Sequence, residues 1–282
     1  MSKRVLVTGA NGQLGNCIKQ IHLQYPEIDF VFLSKNLLDI TDKKSIAKKI
    51  EQYNITNIIN TAAYTQVDKA EEKEGIDLSY NINKIGIKNL AEVSQVYNVE
   101  LVHLSTDYVF DGQSSTPYKE TDVPNPINVY GASKWAGEQE LLRICTKSIV
   151  LRTSWLYSSY GKNFYINISN AINRGESLKI TTQQTGTPTN AIGLAETIIG
   201  IITADKKEYG VYHYSDTGET TWYGFAKAIE IKILGENKGH ILPVEKYITK
   251  AKRPIYSVLN LDKIKNNFNI NPKAWQERLL EI

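Results

Sequence analysis

A tyrosine and a lysine stand four positions apart in the segment from Tyr130 to Lys134, which reads YGASK. On a helix, residues i and i+4 lie on one face, so the phenol and the ammonium group would project into the same space. A free tyrosine titrates at about pH 10, and a neighbouring positive charge stabilises its phenolate. The pair therefore predicts that Tyr130 gives a proton to a developing alkoxide. Because the chain contains 17 tyrosines, a chance pair is just as frequent as a functional one.

A threonine, Thr106, follows a short apolar segment at residues 101–105 that we predict to be a strand. The carboxyl ends of parallel strands form the ligand crevice of an open α/β sheet. The Thr106 hydroxyl would there hydrogen-bond a reacting carbonyl beside Tyr130. The alternative is that Ser105 and Thr106 only satisfy the turn at the end of the strand.

Three glycines with the spacing G-x-x-G-x-x-G, at Gly9, Gly12 and Gly15, follow the first predicted strand and open the first predicted helix. A dinucleotide pyrophosphate needs free N–H groups at a helix N-terminus, and only glycine lets the backbone approach it closely. Glycines at turns are common, but this position favours a nicotinamide dinucleotide cofactor.

The second predicted strand ends in Ser34 and Lys35 and carries no acidic residue there. A carboxylate at this place favours NAD, whereas a cation suits the additional phosphate of NADP. We therefore predict NADPH as the cofactor, with NADH possible and a solvated lysine as the alternative. Asp39 would contact the adenine amino group, or would serve only in a turn or a helix cap.

Short β-branched segments alternate with helical ones through the first half of the chain. This alternation predicts an α/β fold, a Rossmann-type doubly wound parallel sheet with a smaller C-terminal substrate lobe. We assign residues 1–150 to the NAD(P)-binding domain and residues 151–282 to the substrate-binding lobe, with some chain crossing between them. The predicted strands are 5–7, 29–33, 57–60, 101–105, 148–152, 178–182, 211–214 and 240–244. The predicted helices are 13–24, 43–52, 76–97, 130–143, 164–174, 191–204 and 221–233, with a polar helix in the tail; Thr41 or Asp42 would cap the second helix.

Length and composition exclude several classes of protein. The 282 residues are 41% apolar and 22% charged, which excludes collagen-like, disulfide-scaffold and disordered chains. The net charge of +3 gives no reason to expect nucleic acid or an anionic membrane as a partner. We expect neither a transmembrane helix nor a signal peptide. The two cysteines suit a reducing cytoplasm, and the four histidines lack the spacing of metal ligands.

Several blocks of sequence together resemble the extended short-chain dehydrogenase/reductase family. They are the glycine loop, the segment NTAAY at 60–64, the segment STDYVF at 105–110 and the Tyr130–Lys134 pair. Further blocks are similar to the dTDP-4-dehydrorhamnose reductases within that family: AYTQVDKAE at 63–71, RTSW at 152–155, PINVYGASKWAGE at 126–138 and RPIYSVL at 253–259. The resemblance extends from about residue 5 to residue 261.

The resemblance implies a role for each matching residue. Tyr130 would be the proton donor, Lys134 its electrostatic partner and a ligand of the nicotinamide ribose, and Thr106 would orient the C4 ketone of a dTDP-sugar. The implied substrate residues are Thr106, Asp107, Tyr130, Trp155 and Arg253, with the block at 184–189 on the nucleotide side. The implied cofactor residues are Gly9, Asn11, Gly12, Gln13, Leu14, Gly15, Ser34, Lys35, Asp39, Ile40, Ala62, Ala63, Tyr64, Tyr130 and Lys134.

The resemblance also leaves alternatives open. The alternative for Trp155 is that it is a core residue. The alternative for Arg253 is that it belongs to a surface ion pair. Some relatives form a dimer bridged by magnesium through an acidic residue after the third glycine; here Asn16 and Cys17 stand there, so magnesium is doubtful and we predict a monomer or weak homodimer. The rival functions are a nucleotide-sugar epimerase or 4,6-dehydratase, and a non-catalytic subunit resembling the methionine adenosyltransferase beta subunit.

Overall fold

A parallel sheet forms the centre of the computed structural model, which describes residues 3–282. The strands in chain order are β1 (Lys3–Thr8), β2 (Ile28–Leu33), β3 (Asn57–Asn60), β4 (Glu100–Thr106), β5 (Ser148–Thr153), β6 (Leu156–Tyr157), β7 (Leu178–Thr181), β8 (Thr185–Gly186), β9 (Thr189–Asn190), β10 (Gly210–His213), β11 (Thr220–Thr221) and β12 (Ile241–Val244). The central sheet has the order β2-β1-β3-β4-β5-β10, and all of its neighbouring strands run parallel.

Helices cover both faces of this sheet, which confirms the doubly wound fold. They are α1 (Gln13–Ile21), α2 (Lys43–Tyr53), α3 (Lys73–Tyr80), α4 (Ile87–Tyr97), α5 (Val129–Ile144), α6 (Phe164–Asn173), α7 (Ala191–Thr203), α8 (Trp222–Leu234), α9 (Asp262–Phe268) and α10 (Trp275–Leu280). Alternate residues of β1 belong to different cores: Val5 and Val7 pack with α1 and α7, whereas Leu6 packs with α2, α4 and α5. Strands buried on both faces explain the nearly continuous apolar runs in the sequence.

The order in which strands are added to the sheet reverses at β1: β2 lies on one side of β1, and β3 with the later strands lies on the other. Strand β1 pairs with β2 on one side and with β3 on the other, and Thr8 lies opposite Asn60 at their carboxyl ends. In doubly wound sheets the crevice at such a reversal binds the ligand. The glycine loop and the residues after β3 both begin at this point.

Most predicted helices and strands have their counterparts within a few residues. Asp42, not Thr41, caps α2, because its side chain accepts hydrogen bonds from the N–H groups of Lys44 and Ser45. The predicted helix 76–97 starts earlier, at Lys73, and is interrupted by a π-helical segment, Asn81–Gly86. Strand β10, from the second half of the chain, joins the central sheet beside β5.

Several other elements of the second half surround a separate apolar core, whereas α7 and α9 pack against the first one. Tyr157, Phe225 and Trp275 are buried there with residues of α6, α8 and β7. Short strand pairs, β6 with β9, β8 with β11 and β7 with β12, connect these segments. Within residues 3–282, no helix is both long and apolar enough to cross a membrane.

Candidate active site

Helix α5 positions Tyr130 in its first turn. The Asn128 side chain caps the helix by accepting a hydrogen bond from the N–H of Gly131 at 2.7 Å. A Cβ at Gly131 would lie 2.1 Å from the carbonyl oxygen of Tyr108, so only glycine lets α5 begin this close to the segment after β4. The rings of Tyr108 and Tyr130 meet edge to face with centroids 6.0 Å apart. The structure thus brings Tyr130 beside the residues that follow Thr106.

Burial raises the pKa of the Tyr130 phenol to about 12; a hydrogen bond with Thr106 lowers this pKa, and the Asp107 carboxylate raises it. The sequence had suggested that Lys134 would favour the phenolate. In the structure the desolvation of the phenol outweighs any such help, so Tyr130 carries its proton at neutral pH. A protonated phenol is the form that a proton donor needs.

Lys134 is almost fully buried, and its amino group points back to β4. The Lys134 Nζ donates a hydrogen bond to the Leu104 carbonyl oxygen at 2.5 Å and lies 3.4 Å from Nε2 of His103. His103 in turn lies 2.9 Å from the Asn60 side chain, which accepts a hydrogen bond from the Thr8 hydroxyl at 2.6 Å. This buried network fixes the lysine at the carboxyl ends of β1, β3 and β4.

Lys134 should give the reaction an alkaline limit. Burial lowers the pKa of Lys134 to about 8, although the Glu138 carboxylate raises it again in part. The ammonium form is lost as the pH rises through this value, so kcat/KM should fall above about pH 8 with the loss of one proton. The pH profile of kcat/KM tests this, and the decline should disappear in Lys134→Arg, whatever activity that variant retains. A constant rate up to about pH 10, the ordinary range of lysine, would contradict the assignment.

Thr106 and Asp107 lie buried at the end of β4. The Thr106 hydroxyl donates a hydrogen bond to Asp107 Oδ1 at 3.1 Å and accepts one from the N–H of Tyr108. Burial raises the pKa of Asp107 to about 7, against the lowering effect of the neighbouring Ser257 and Thr106 hydroxyls. Asp107 Oδ2 has no hydrogen-bond partner among the described residues. A buried carboxylate oxygen without a partner in this position suits a ligand that carries a hydroxyl group.

The glycine loop passes against the end of β3. Gly9 has φ +61°, and a Cβ there would lie 2.7 Å from the Ala62 nitrogen, so both its conformation and its surroundings require glycine. A Cβ at Gly15 would lie 2.7 Å from Cα of Ala10. Gly12 precedes α1 and offers no side chain to cap it, which leaves the first N–H groups of the helix open for an anion. These features fit a bound pyrophosphate.

A cavity of about 230 Å³ continues from this loop. It is lined by Gly9, Asn11, Gly12, Lys35, Leu38, Asp39, Ile40, Thr61, Ala62, Ala63 and Ile82. Lys35 is exposed there, and its contact with a ribose phosphate stays a prediction. Asp39 Oδ1 accepts hydrogen bonds from the N–H and the hydroxyl of Thr41, which holds its pKa below the ordinary value. Asp39 thus shapes the turn and faces the cavity as well.

Several other predicted cofactor residues make contacts with neighbouring residues of the protein. Leu14 is buried in the core between α1 and the sheet, and the Asn11 side chain accepts a hydrogen bond from Lys19 Nζ. Ser34 lies in the turn after β2, where its carbonyl oxygen accepts hydrogen bonds from the N–H groups of Leu37 and Leu38. The Gln13 Nε2 atom is buried and has no hydrogen-bond partner among the described residues, so it is free for a ligand.

Arg253 binds Asp68 in a two-pronged ion pair, with Nη2 to Oδ2 at 2.6 Å and Nη1 to Oδ1 at 3.2 Å. Asp68 also accepts a hydrogen bond from the N–H of Ala251, so it ties the segment before Arg253 to the segment after β3. The Arg253 hydrogen bond is the largest influence holding the pKa of Asp68 below its ordinary value. The ion-pair interpretation of Arg253 therefore describes the structure, and binding of a diphosphate by its remaining N–H groups stays a prediction.

The sequence did not reveal Asn83, which connects the loop after β3 to α5. Its side chain accepts a hydrogen bond from the N–H of Tyr64 and donates to the Tyr64 carbonyl oxygen and to the Ser133 hydroxyl. Asn83 is fully buried within the π-helical segment, and such segments occur often at functional sites. A buried asparagine in an otherwise helical stretch was the signal available.

Within residues 3–282, no group of three or more His, Cys, Asp or Glu side chains is placed to hold a metal ion. Cys17 and Cys145 are both buried and unpaired. Burial raises the pKa of Cys17 to about 11, so its thiol stays protonated at neutral pH.

Comparison with known proteins gives consistent matches along the chain. The model of the RmlD substrate binding domain family matches residues 3–282. A dTDP-4-dehydrorhamnose reductase of Aggregatibacter actinomycetemcomitans is 38% identical, over 99% of this chain and 98% of the relative. A dTDP-4-keto-6-deoxy-D-glucose reductase of Streptomyces niveus is 37% identical, over 93% and 90%. The crystal structure of a Bacillus anthracis dTDP-4-dehydrorhamnose reductase in complex with NADP is 38% identical and superimposes with a TM-score of 0.93, covering 100% of this chain and 98% of that one.

Proposed function

The chain belongs to the RmlD substrate binding domain family, and on that premise we propose that it catalyses the NADPH-dependent reduction of the C4 ketone of dTDP-4-dehydro-L-rhamnose to dTDP-L-rhamnose. One observation carries the proposal. A protonated tyrosine, Tyr130, and a threonine hydroxyl, Thr106, lie together at the carboxyl end of β4, in the same crevice edge as a glycine loop that fits a pyrophosphate.

Tyr130, Thr106 and Lys134 each have a separate role in this reaction. When bound, NADPH supplies the hydride. Tyr130 holds a proton at its phenol oxygen and donates it to the C4 oxygen of the sugar as negative charge develops there. The Thr106 hydroxyl orients the same oxygen. The Lys134 ammonium group places a positive charge near this site, and the buried network through His103 holds the lysine in position.

The direct test is to incubate the purified protein with dTDP-4-dehydro-L-rhamnose and NADPH. The nicotinamide absorbance should fall by one equivalent for each dTDP-L-rhamnose formed, as identified by chromatography and NMR. A 4,6-dehydratase or an epimerase recycles its bound cofactor, so product formation without net NADPH oxidation would establish that rival. No conversion, together with co-purification of a partner enzyme, would favour a non-catalytic subunit.

The same assay should contain dTDP-4-dehydro-6-deoxy-D-glucose as a second substrate. The Streptomyces niveus relative is named for the reduction of that ketosugar, and its 37% identity is almost that of the Aggregatibacter relative. The two sugars differ in ring stereochemistry, so the ratio of their kcat/KM values measures how well the pocket discriminates between them.

Lys35 should determine the preference for NADPH. Its exposed ammonium group lines the cavity beyond the glycine loop. The turn directly after β2 carries no acidic residue, and the carboxylate that does line this cavity, Asp39, accepts hydrogen bonds from Thr41. Lys35→Ala should lower kcat/KM for NADPH about tenfold and leave that for NADH within about twofold, the loss expected for one charge-assisted phosphate contact. Steady-state kinetics with both cofactors measures this. Lys48→Ala, an exposed lysine on α2 outside the cavity, is the control, and a tenfold advantage of the wild type for NADH would contradict the prediction.

We propose further that residues 1–150 form the cofactor domain and residues 151–282 the substrate lobe, with α7 and β10 crossing back to the first. The packing of α7 on α1 and of β10 beside β5 supports the crossing. The buried, unpaired cysteines are compatible with a reducing cytoplasm as the location. A monomer or weak homodimer is the proposed state, which sedimentation of the purified protein tests.

A further inference from the structure

Lys19 reaches the cofactor cavity although it belongs to none of the motifs. It lies in the last turn of α1, and its Nζ donates a hydrogen bond to the side-chain oxygen of Asn11 at 3.0 Å. Asn11 lines the cavity that continues from the glycine loop, and Lys35 lines the same cavity. Because side chains on a helix lean toward its N-terminus, Lys19 runs back along α1 and brings its ammonium group to the edge of this cavity.

An aromatic ring of β2 holds the Lys19 side chain in place. Lys19 is half-buried, and its Nζ lies 5.8 Å from the centroid of the Phe32 ring, within the range of a cation–π contact. Phe32 stacks on Phe30 and meets the His22 ring edge to face, with centroids 5.3 Å apart, so neighbouring rings fix its orientation. Phe32 is the last but one residue of β2, and Lys35 follows this strand. Lys19 and Lys35 therefore approach the same end of β2 from different elements.

The positive charge of Lys19 is not neutralised by the protein. Its hydrogen bond to Asn11 is made to a neutral amide, and none of the ion pairs within residues 3–282 involves Lys19 or Lys35. The carboxylate that lines the cavity, Asp39, is held by Thr41, and the charge of Lys35 is the smallest of the influences that lower its pKa. Two lysines without ion pairs at one cavity create a positive potential that favours an anion.

We propose that Lys19 binds the 2′-phosphate of NADPH together with Lys35 and so contributes to the preference over NADH. This inference rests on the proposed function, whose cofactor it concerns. A phosphate monoester carries a charge of about −1.5 to −2 at neutral pH, more than one lysine balances. Asn11 is the residue that positions Lys19: it accepts one N–H of the ammonium group and leaves the other two N–H groups for phosphate oxygens.

Binding of two cofactor fragments tests this proposal without any reaction. Adenosine 2′,5′-bisphosphate and adenosine 5′-monophosphate differ only in the 2′-phosphate, and titration calorimetry of the purified protein gives the Kd of each. Lys19→Met removes the charge and keeps most of the stem that lies over Phe32. It should raise the Kd for the bisphosphate about fivefold to tenfold, the loss of one charge-assisted contact, and leave that for the monophosphate within about twofold. Lys19→Arg, which restores the charge, should recover most of the affinity.

Lys49→Met is the matched control, because Lys49 has the same kinds of contact at another place. It is half-buried on α2, its Nζ donates to the side-chain oxygen of Gln52 at 3.2 Å and lies 5.6 Å from the Tyr53 ring, and it is not among the residues that line the cavity. Both Kd values should stay at the wild-type level in this variant. If Lys19→Met weakens the two fragments equally, or weakens neither, the proposal is overturned, and Lys19 serves only the last turn of α1.

The double variant Lys19→Met with Lys35→Ala shows whether both lysines meet the same phosphate. It should bind the bisphosphate more weakly than either single variant, and a Kd equal to that of Lys35→Ala alone would show that Lys19 does not reach the phosphate. The fragment measurements also separate this proposal from the proposed function. A selective loss for the bisphosphate in Lys19→Met, in a protein that reduces no dTDP-sugar, refutes the proposed function only. An NADPH-dependent reductase whose fragment affinities ignore Lys19 refutes the role of Lys19 only.

Discussion

Tyr130→Phe should lower kcat by about two to three orders of magnitude or more, the size of effect expected when a general acid is removed. The substitution deletes one oxygen and keeps the ring, so the edge-to-face contact with Tyr108 should survive. The KM for NADPH should change little, because the glycine loop and the cavity beside it lie on other elements. Initial rates at saturating concentrations of both substrates measure the effect.

The structure adds a reason to expect a large loss. The pKa of Tyr130 is raised to about 12, so practically every molecule holds the proton that the reaction needs at neutral pH. Water would have to replace this donor in a site where the phenol is desolvated. Thr106 keeps its hydroxyl in the variant, and its orientation of the ketone explains why some activity should remain.

Tyr97→Phe is the matched control for Tyr130→Phe. Tyr97 loses an equivalent hydroxyl, but its OH group donates to Glu51 at the surface. Tyr97 ends α4 just before the amino end of β4, whereas the crevice lies at the carboxyl end of that strand. The control should retain wild-type kcat and thermal stability. A near-wild-type rate for Tyr130→Phe would remove the proton-donor role and, with it, the assigned reaction.

The central sheet and the glycine loop could be predicted from the sequence because they depend on local patterns. Apolar runs of three to five residues, separated by helical periods, locate β1 to β5, and the glycines mark the turn between β1 and α1. The long helix at 76–97 was predicted as regular, because the spacing of its apolar residues does not mark the place where i→i+5 hydrogen bonds replace the α-helical ones. Only the tertiary contacts of Asn83, to Tyr64 and Ser133, reveal its purpose.

Pairings between distant residues could not be predicted in the same way. The sequence left open whether Arg253 faces a diphosphate or belongs to an ion pair, and it gave no means to identify the partner, Asp68, which is 185 residues away in the chain. The flexible side chain of Lys134 reaches β4 because the Leu104 carbonyl oxygen and His103 lie there, a contact that the Y-x-x-x-K spacing does not contain. Trp222 belongs to none of the motifs, and only the structure shows that it stacks on Trp155.

Arg152→Met should destabilise the protein by about 3–5 kcal/mol, the cost of leaving one buried charge without its partner. Arg152 and Glu138 are both almost fully buried, with 4% and 1% of their side chains exposed. The guanidinium donates to both carboxylate oxygens, with Nη2 to Oε2 at 2.7 Å and Nε to Oε1 at 3.1 Å. This pair joins β5 to α5, the helix that carries Tyr130 and Lys134. Urea unfolding followed by circular dichroism measures the difference.

Arg143→Met is the control for Arg152→Met, because Arg143 lies on α5 together with Glu138. Arg143 pairs with Glu140, but 66% of its side chain is exposed, and exposed pairs contribute about 0–1 kcal/mol. The double variant Arg152→Met with Glu138→Leu should regain most of the stability, because it removes both members of the buried pair together. A single variant as stable as Arg143→Met would show that the buried pair does not hold α5 to the sheet.

The double variant should also change the chemistry of the site. Glu138 lies one helical turn after Lys134, and its carboxylate raises the pKa of the lysine against the effect of burial. Without that carboxylate the pKa of Lys134 falls, so the alkaline decline of kcat/KM should begin below the wild-type value of about 8. The stability of the double variant and its pH profile thus separate two roles of Glu138: one as the partner that anchors the helix, the other as the charge that keeps Lys134 protonated. If the decline stays where it is in the wild type, the second role is wrong even where the first one holds.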